Sequence, residues 1–188
     1  MSETLSAQYN DAELTPSGAR RRVFITDFHG TLTDGYEVRK EYLEAIVKMH
    51  MAGHFVKIAS GDYMDAKTQI ENSPVVQEVL DGLKLSPQEQ QEFKDHFFDV
   101  QDKLRIMLHL KELGLGKPDV FCDDDLFQRQ MLGQAPLDPD TDAFDAFVSL
   151  AKRNPDMALD LIEVRAAALG RGQDIDDGFA AGIQALDL

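Results

Sequence analysis

Apolar and polar positions fall along the chain in blocks whose period changes from one block to the next. Val23-Phe24-Ile25-Thr26-Asp27 is a short apolar run closed by a polar cluster containing Gly30, the pattern of a buried strand feeding a tight loop. From residue 37 to 52 the spacing becomes helical. Val38, Tyr42, Ala45, Ile46 and Met49 form one apolar stripe, and Gly53 is placed to stop it. His54-Phe55-Val56-Lys57-Ile58-Ala59 reads as a second strand ending at Ser60-Gly61-Asp62. Strand, loop, helix, strand predicts a βαβ unit of a parallel α/β sheet.

Residues 64–95 read as helix, interrupted at Ser73-Pro74 and Ser86-Pro87, where Ser suits an N-cap and Pro the first helical position. Phe97-Phe98-Asp99-Val100 is expected to be a short strand. Residues 102–113 form a helix with Leu104, Met107, Leu108 and Leu110 apolar, stopped by Gly114. Asp119-Val120-Phe121-Cys122 is a third strand, entering Asp123-Asp124-Asp125. The turn-rich stretch 136–142 leads to two amphipathic helices, 143–153 and 156–169, separated at Pro155. The polar residues 1–20 read as a mobile tail and those after Gly170 as frayed. The expected organisation is a tail at 1–20, an α/β core at 21–135 and an acidic helical C-terminal extension at 136–188.

Composition narrows what such a chain does. Its 188 residues suit one domain, or one with an appendage, and 43% hydrophobic content is enough for a real core. The formal net charge of −15 argues against nucleic-acid and anionic-membrane partners. Residues 119–188 hold 15 Asp+Glu and 5 Lys+Arg, so most of the excess lies there. The single cysteine, Cys122, excludes an internal disulfide framework and reads as core rather than nucleophile. No apolar run is long enough for a transmembrane helix, and the first residues do not read as a signal peptide, so a cytoplasmic protein is expected. Asp138, Asp140 and Asp142 do not make a calcium loop, because Ala143 stands where the glycine belongs and Ser149 where the closing Glu belongs.

The candidate chemistry sits after the three strands. In an open parallel sheet, loops at the carboxyl ends of the strands converge on one site. Asp27 to Asp34, Ser60 to Asp62 and Asp123 to Asp125 should therefore meet. Facing acids need a cation, and Mg²⁺, with oxygen ligands and a share of substrate phosphate, fits best.

Asp27-Phe28-His29-Gly30-Thr31-Leu32-Thr33-Asp34-Gly35 resembles the first motif of the haloacid dehalogenase superfamily, Asp-x-Asp-Gly-Thr-Leu/Val. The spacing of the later motifs is similar to that of small capless phosphatases such as KDO-8-phosphate phosphatase. The resemblance covers about residues 22–133 and implies a Rossmann-type sheet with helices on both faces and no large cap. It implies that Asp27 is a nucleophile forming an aspartyl-phosphate, with Thr31, Ser60, Gly61 and a lysine holding the phosphoryl group. Among Lys84, Lys103, Lys111 and Lys117, Lys103 is preferred, because it opens a helix ahead of the acidic strand end, and Lys117 is the runner-up. The metal would be held by Asp27, the carbonyl of His29 and Asp124 of the triplet. Two registers are open there, Asp123–Asp124 or Asp124–Asp125, and Asp124 belongs to both. His29 stands where the family has its acid/base Asp. It keeps the carbonyl but changes the proton chemistry, which predicts weakened turnover.

The resemblance thus implies a Mg²⁺-dependent phosphomonoesterase acting on a small phosphorylated metabolite, with completion of the pocket by a second copy of the chain left open. The other reading is a catalytically impaired module that binds a partner through its acidic C-terminal helices.

Overall fold

Val23–Asp27 forms β1, buried along its whole length, since a strand covered on both faces needs apolar side chains pointing both ways. A tight loop, Phe28–Leu32, leads into a small antiparallel hairpin, β2 (Thr33–Asp34) and β3 (Glu37–Val38), with Gly35 in its turn at φ +63°. The hairpin occupies the first residues of the helix expected from 37, so α1 runs Lys40–Met51. Its predicted stripe is buried throughout, and Gly53 follows it at φ +98°. β4 (Phe55–Ala59) comes next, then α2 (Tyr63–Asn72), α3 (Pro74–Gly82) and α4 (Pro87–Phe97). Ser73 and Ser86 cap α3 and α4 with Pro in the first turn, as the two Ser-Pro pairs predict. The chain continues through α5 (Lys103–Glu112), β5 (Val120–Cys122), α6 (Leu126–Leu132), α7 (Asp142–Arg153) and α8 (Pro155–Gly170). The structure, a computed structural model, describes residues 14–133 and 136–172.

The protein is α/β: a three-stranded parallel sheet in the order β4-β1-β5, flanked by helices. Asp27 is in register with Ala59 and Thr26 with Cys122, so the three strands end level. Alternate residues of β1 serve two cores. Phe24 joins the cluster of α1, α7 and α8, where its ring stacks on Phe147 at 5.8 Å and 9°. Val23 and Ile25 face Ile106 and Leu110 of α5. The C-terminal helices therefore form one layer of the domain. Arg22 of the sheet's amino end pairs with Asp160 and Glu163 of α8, and the buried His54 Nε2 lies 2.7 Å from Asp156.

Two expectations change. Phe97–Val100 is not a strand. Phe97 is the last residue of α4, because Phe93, Phe97 and Phe98 cluster with His50 at helical spacing, and only Gln101 reaches the sheet edge, as a bridge to Ala59. Within the stretch read as a tail, residues 14–20 close a turn through Leu14 and Arg20, and Ser17 donates to Asp156. Residues 1–13, and the frayed end expected beyond 172, lie outside the described residues. Among the described residues no helix is long and apolar enough to cross a membrane.

Candidate active site

The level strand ends bring Asp27, Ser60 and Asp123 side by side. Asp27 closes β1 and is 5% exposed, while Asp123 follows β5 and is fully buried. The loop after β1 turns back at Gly30, which sits at φ +72°. A side chain there would also collide with the carboxylate of Asp124, so glycine meets two demands at once. Thr31 fastens this loop to the next: its buried hydroxyl oxygen accepts the backbone N–H of Asp124 at 3.0 Å. That contact commits Thr31 to joining the loops, beyond the phosphate role expected of it.

Lys103, the first residue of α5, reaches the carboxylates. Its Nζ lies 2.9 Å from Asp27 Oδ1, 2.8 Å from Asp123 Oδ2 and 2.8 Å from Gln128 Oε1, one acceptor for each of its three N–H bonds. Lys117 instead points to the carbonyl of Met131 at the other end of β5. Carboxylate oxygens of Asp27, Asp123 and Asp124 all lie within 4.8 Å of one another. Asp125 is turned away. Its side chain accepts the N–H of Gln128 and caps α6, while its own N–H donates to Asp123. The acidic pair facing Asp27 is thus Asp123 and Asp124.

Two buried carboxylates on one ammonium, with the exposed Asp124 alongside, leave a net negative centre. Burial pushes the Asp27 carboxyl up to about 6; Lys103 opposes the shift and Asp123 and Asp124 add to it. Asp124 is raised by desolvation and by Asp123. For Lys103, burial works against its charge, but the hydrogen bond to Asp123 and the attraction of Asp27 outweigh it and hold its pKa above the ordinary range. The donor set is all oxygen, hard and over-charged by acids, so it fits a hard divalent cation such as Mg²⁺.

His29 is tied sideways. Its Nδ1 lies 3.0 Å from Ser60 Oγ and its Nε2 2.9 Å from Asp65 Oδ2 on α2. Ser60 also accepts the N–H of Asp62. Gln69 donates to the same Asp65 oxygen at 2.7 Å, and the hydrogen bonds from His29 and Gln69 hold the Asp65 carboxyl below its usual range. Gly61 is exposed in the turn that follows Ser60. Asp65, Gln69 and Gln128 are site residues that sequence reasoning gives no role to. The signal for the first two is their i, i+4 spacing in a helix that starts right after Ser60.

The arrangement brings together a buried carboxylate paired with a lysine, two further acids, and an imidazole held on the far side of Ser60. No family model, no curated protein and no solved structure matches the chain.

Proposed function

We propose that the protein is a Mg²⁺-dependent phosphomonoesterase of the haloacid dehalogenase kind, acting on a small phosphorylated metabolite. The observation that carries this reading is Lys103 held between Asp27 and Asp123, with Asp124 alongside, at the carboxyl ends of β1 and β5. A scaffold gains nothing from the Asp27 carboxylate held where burial disfavours its charge, with two more acids beside it.

An oxygen of Asp27 attacks phosphorus in line with the ester oxygen. The Asp27 O–P bond forms, the P–O bond to the leaving group breaks, and the leaving oxygen takes up a proton from solvent. Lys103 offsets charge on the phosphoryl oxygens and keeps the Asp27 carboxylate aimed. Water then attacks the same phosphorus, releasing inorganic phosphate and restoring Asp27. Asp27, Asp123 or Asp124 and the carbonyl of His29 are the groups to hold Mg²⁺, which would supply neutralising charge at the phosphoryl oxygens. His29 replaces a carboxylic acid as the proton-exchanging group beside the nucleophile, and turnover is slow for that reason.

The binding-module reading has less support. Asp156, Asp160 and Glu163 of α8 already face His54, Arg20 and Arg22 of the same chain, which accounts for them without a partner.

With Mg²⁺ and an aryl phosphate, the wild-type protein should release phosphate slowly, Asp27→Asn should release none, and His29→Asp should be faster by about tenfold or more. Absence both of turnover and of a phosphoryl adduct by mass spectrometry would sink the proposal.

A further inference from the structure

The contacts of His29 extend the site beyond the carboxylates. An ionised Asp65 only accepts hydrogen bonds, so the His29 Nε2 that lies 2.9 Å from it must carry a hydrogen. In the neutral ring Nδ1 then carries the lone pair, and the Ser60 hydroxyl 3.0 Å away is the donor. Ser60 already accepts from the Asp62 N–H, so its single hydrogen is spent on His29 and none remains for a phosphoryl oxygen. Asp65 is itself held from two sides: Asp62 Oδ1 accepts its backbone N–H at 3.1 Å, and Gln69 donates to its carboxylate.

We propose that Asp65 is a positioning residue which fixes the tautomer and orientation of His29 by accepting its Nε2–H, and that Gln69 holds Asp65 for this task. The bland alternative is that Asp65 is merely a favourable acid in the first turn of α2 and that His29 falls beside it. The hydrogen bonds speak against it, since one carboxylate oxygen, Oδ2, receives both His29 and Gln69 from different elements. The consequence is directional. With Nε2–H taken by Asp65, the nitrogen toward Ser60 is an acceptor, and it holds the Ser60 hydrogen. This rests on the phosphoryl-transfer reading for its catalytic meaning, though the tautomer can be measured without it.

Asp65→Leu, Asp65→Asn and Gln69→Leu provide the test, on a helix surface where Asp65 is half-exposed and folding is not at stake. Ring ¹⁵N–¹H correlation spectra of the full chain in mildly alkaline buffer are assigned to His29 by comparison with His29→Gln. Wild type should show hydrogen on Nε2. Asp65→Leu should move population to the Nδ1–H form, which then donates to Ser60. Asp65→Asn should restore the wild-type tautomer, because its amide oxygen, oriented by Gln69, still accepts. With aryl phosphate and Mg²⁺, Asp65→Leu should lower kcat by about 10–100-fold with KM within about twofold, and Asn should recover much of the loss. An unchanged His29 tautomer in Asp65→Leu overturns the assignment. So does loss of kcat that Asn does not rescue. A wild-type protein that forms no aspartyl-phosphate defeats the phosphomonoesterase reading instead, and the tautomer then decides the Asp65 assignment alone.

Discussion

Asp27 is the residue at which the demands of folding and of chemistry conflict. Its carboxyl is pushed up to about 6 by burial, so the native state holds a proton that the unfolded chain releases near 3.8. The sign follows from linkage: between these two values the folded state binds more protons, stability falls as pH rises, and above about 6 the full penalty stands. About two pKa units correspond to about 2–3 kcal/mol. Without divalent metal at about pH 8, Asp27→Asn should therefore raise the melting temperature by several degrees, and the gain should vanish as pH is lowered through about 4. Calorimetry of the two proteins across pH checks this; a variant no more stable than wild type at pH 8 would mean that Lys103 alone compensates the buried charge. His29 shows what the sequence could not tell at this scale. Its departure from the Asp-x-Asp pattern is plain in the chain, but its partners are 31 and 36 residues away, and only the turn from β4 into α2 brings them to it. Asp123 and Asp125 make the same point. Residues of one type two positions apart take different tasks, the first facing Lys103 just after β5 and the second capping α6, because the chain turns from strand to helix across them.

At the scale of elements, local signals were read where the cause is local. The Ser-Pro pairs place α3 and α4 because caps and a fixed proline φ act within one turn, and the stripe from Tyr42 to Met49 places α1 because amphipathic spacing is set by the helix itself. Phe97–Val100 fails for the complementary reason. Four residues of apolar run have no period, and the contest between strand and helix is decided by Phe93 and His50 outside the run. The strong stripe of α7 says that one face is buried but not against what. The structure supplies the answer: Phe144 packs on Tyr42 of α1 and Phe147 on Phe24 of β1. Phe147 is fully buried, so Phe147→Ala should cost about 3–5 kcal/mol, seen as a lower denaturation midpoint with little change in slope. A loss below about 1 kcal/mol would mean that α7 rests on the sheet without covering it.

At the scale of the molecule, the uneven charge of the chain has a structural counterpart. Acids of the C-terminal third meet cations of the first: Asp160 and Glu163 with Arg22, Glu163 with Arg20, Asp140 with Arg39. The segment after 136 is thus bound to the core by apolar packing and by opposite charge, and it should not be dispensable. A chain ending at residue 141 should lose cooperative unfolding and bind hydrophobic dyes, because Phe24 and Tyr42 lose their cover. Cooperative unfolding like that of the full chain would show that the C-terminal helices are an appendage after all. The same architecture sets the order of events during synthesis. β1, made first, has its sheet partners at Phe55–Ala59 and Val120–Cys122, and the helix that covers it begins at Asp142. Loops this long close slowly, so Asp27 waits for about a hundred further residues before Asp123 and Asp124 reach it. Until Val120–Cys122 is made β1 keeps one edge open, and its apolar face stays uncovered until the helix from Asp142 arrives, which exposes the growing chain to self-association.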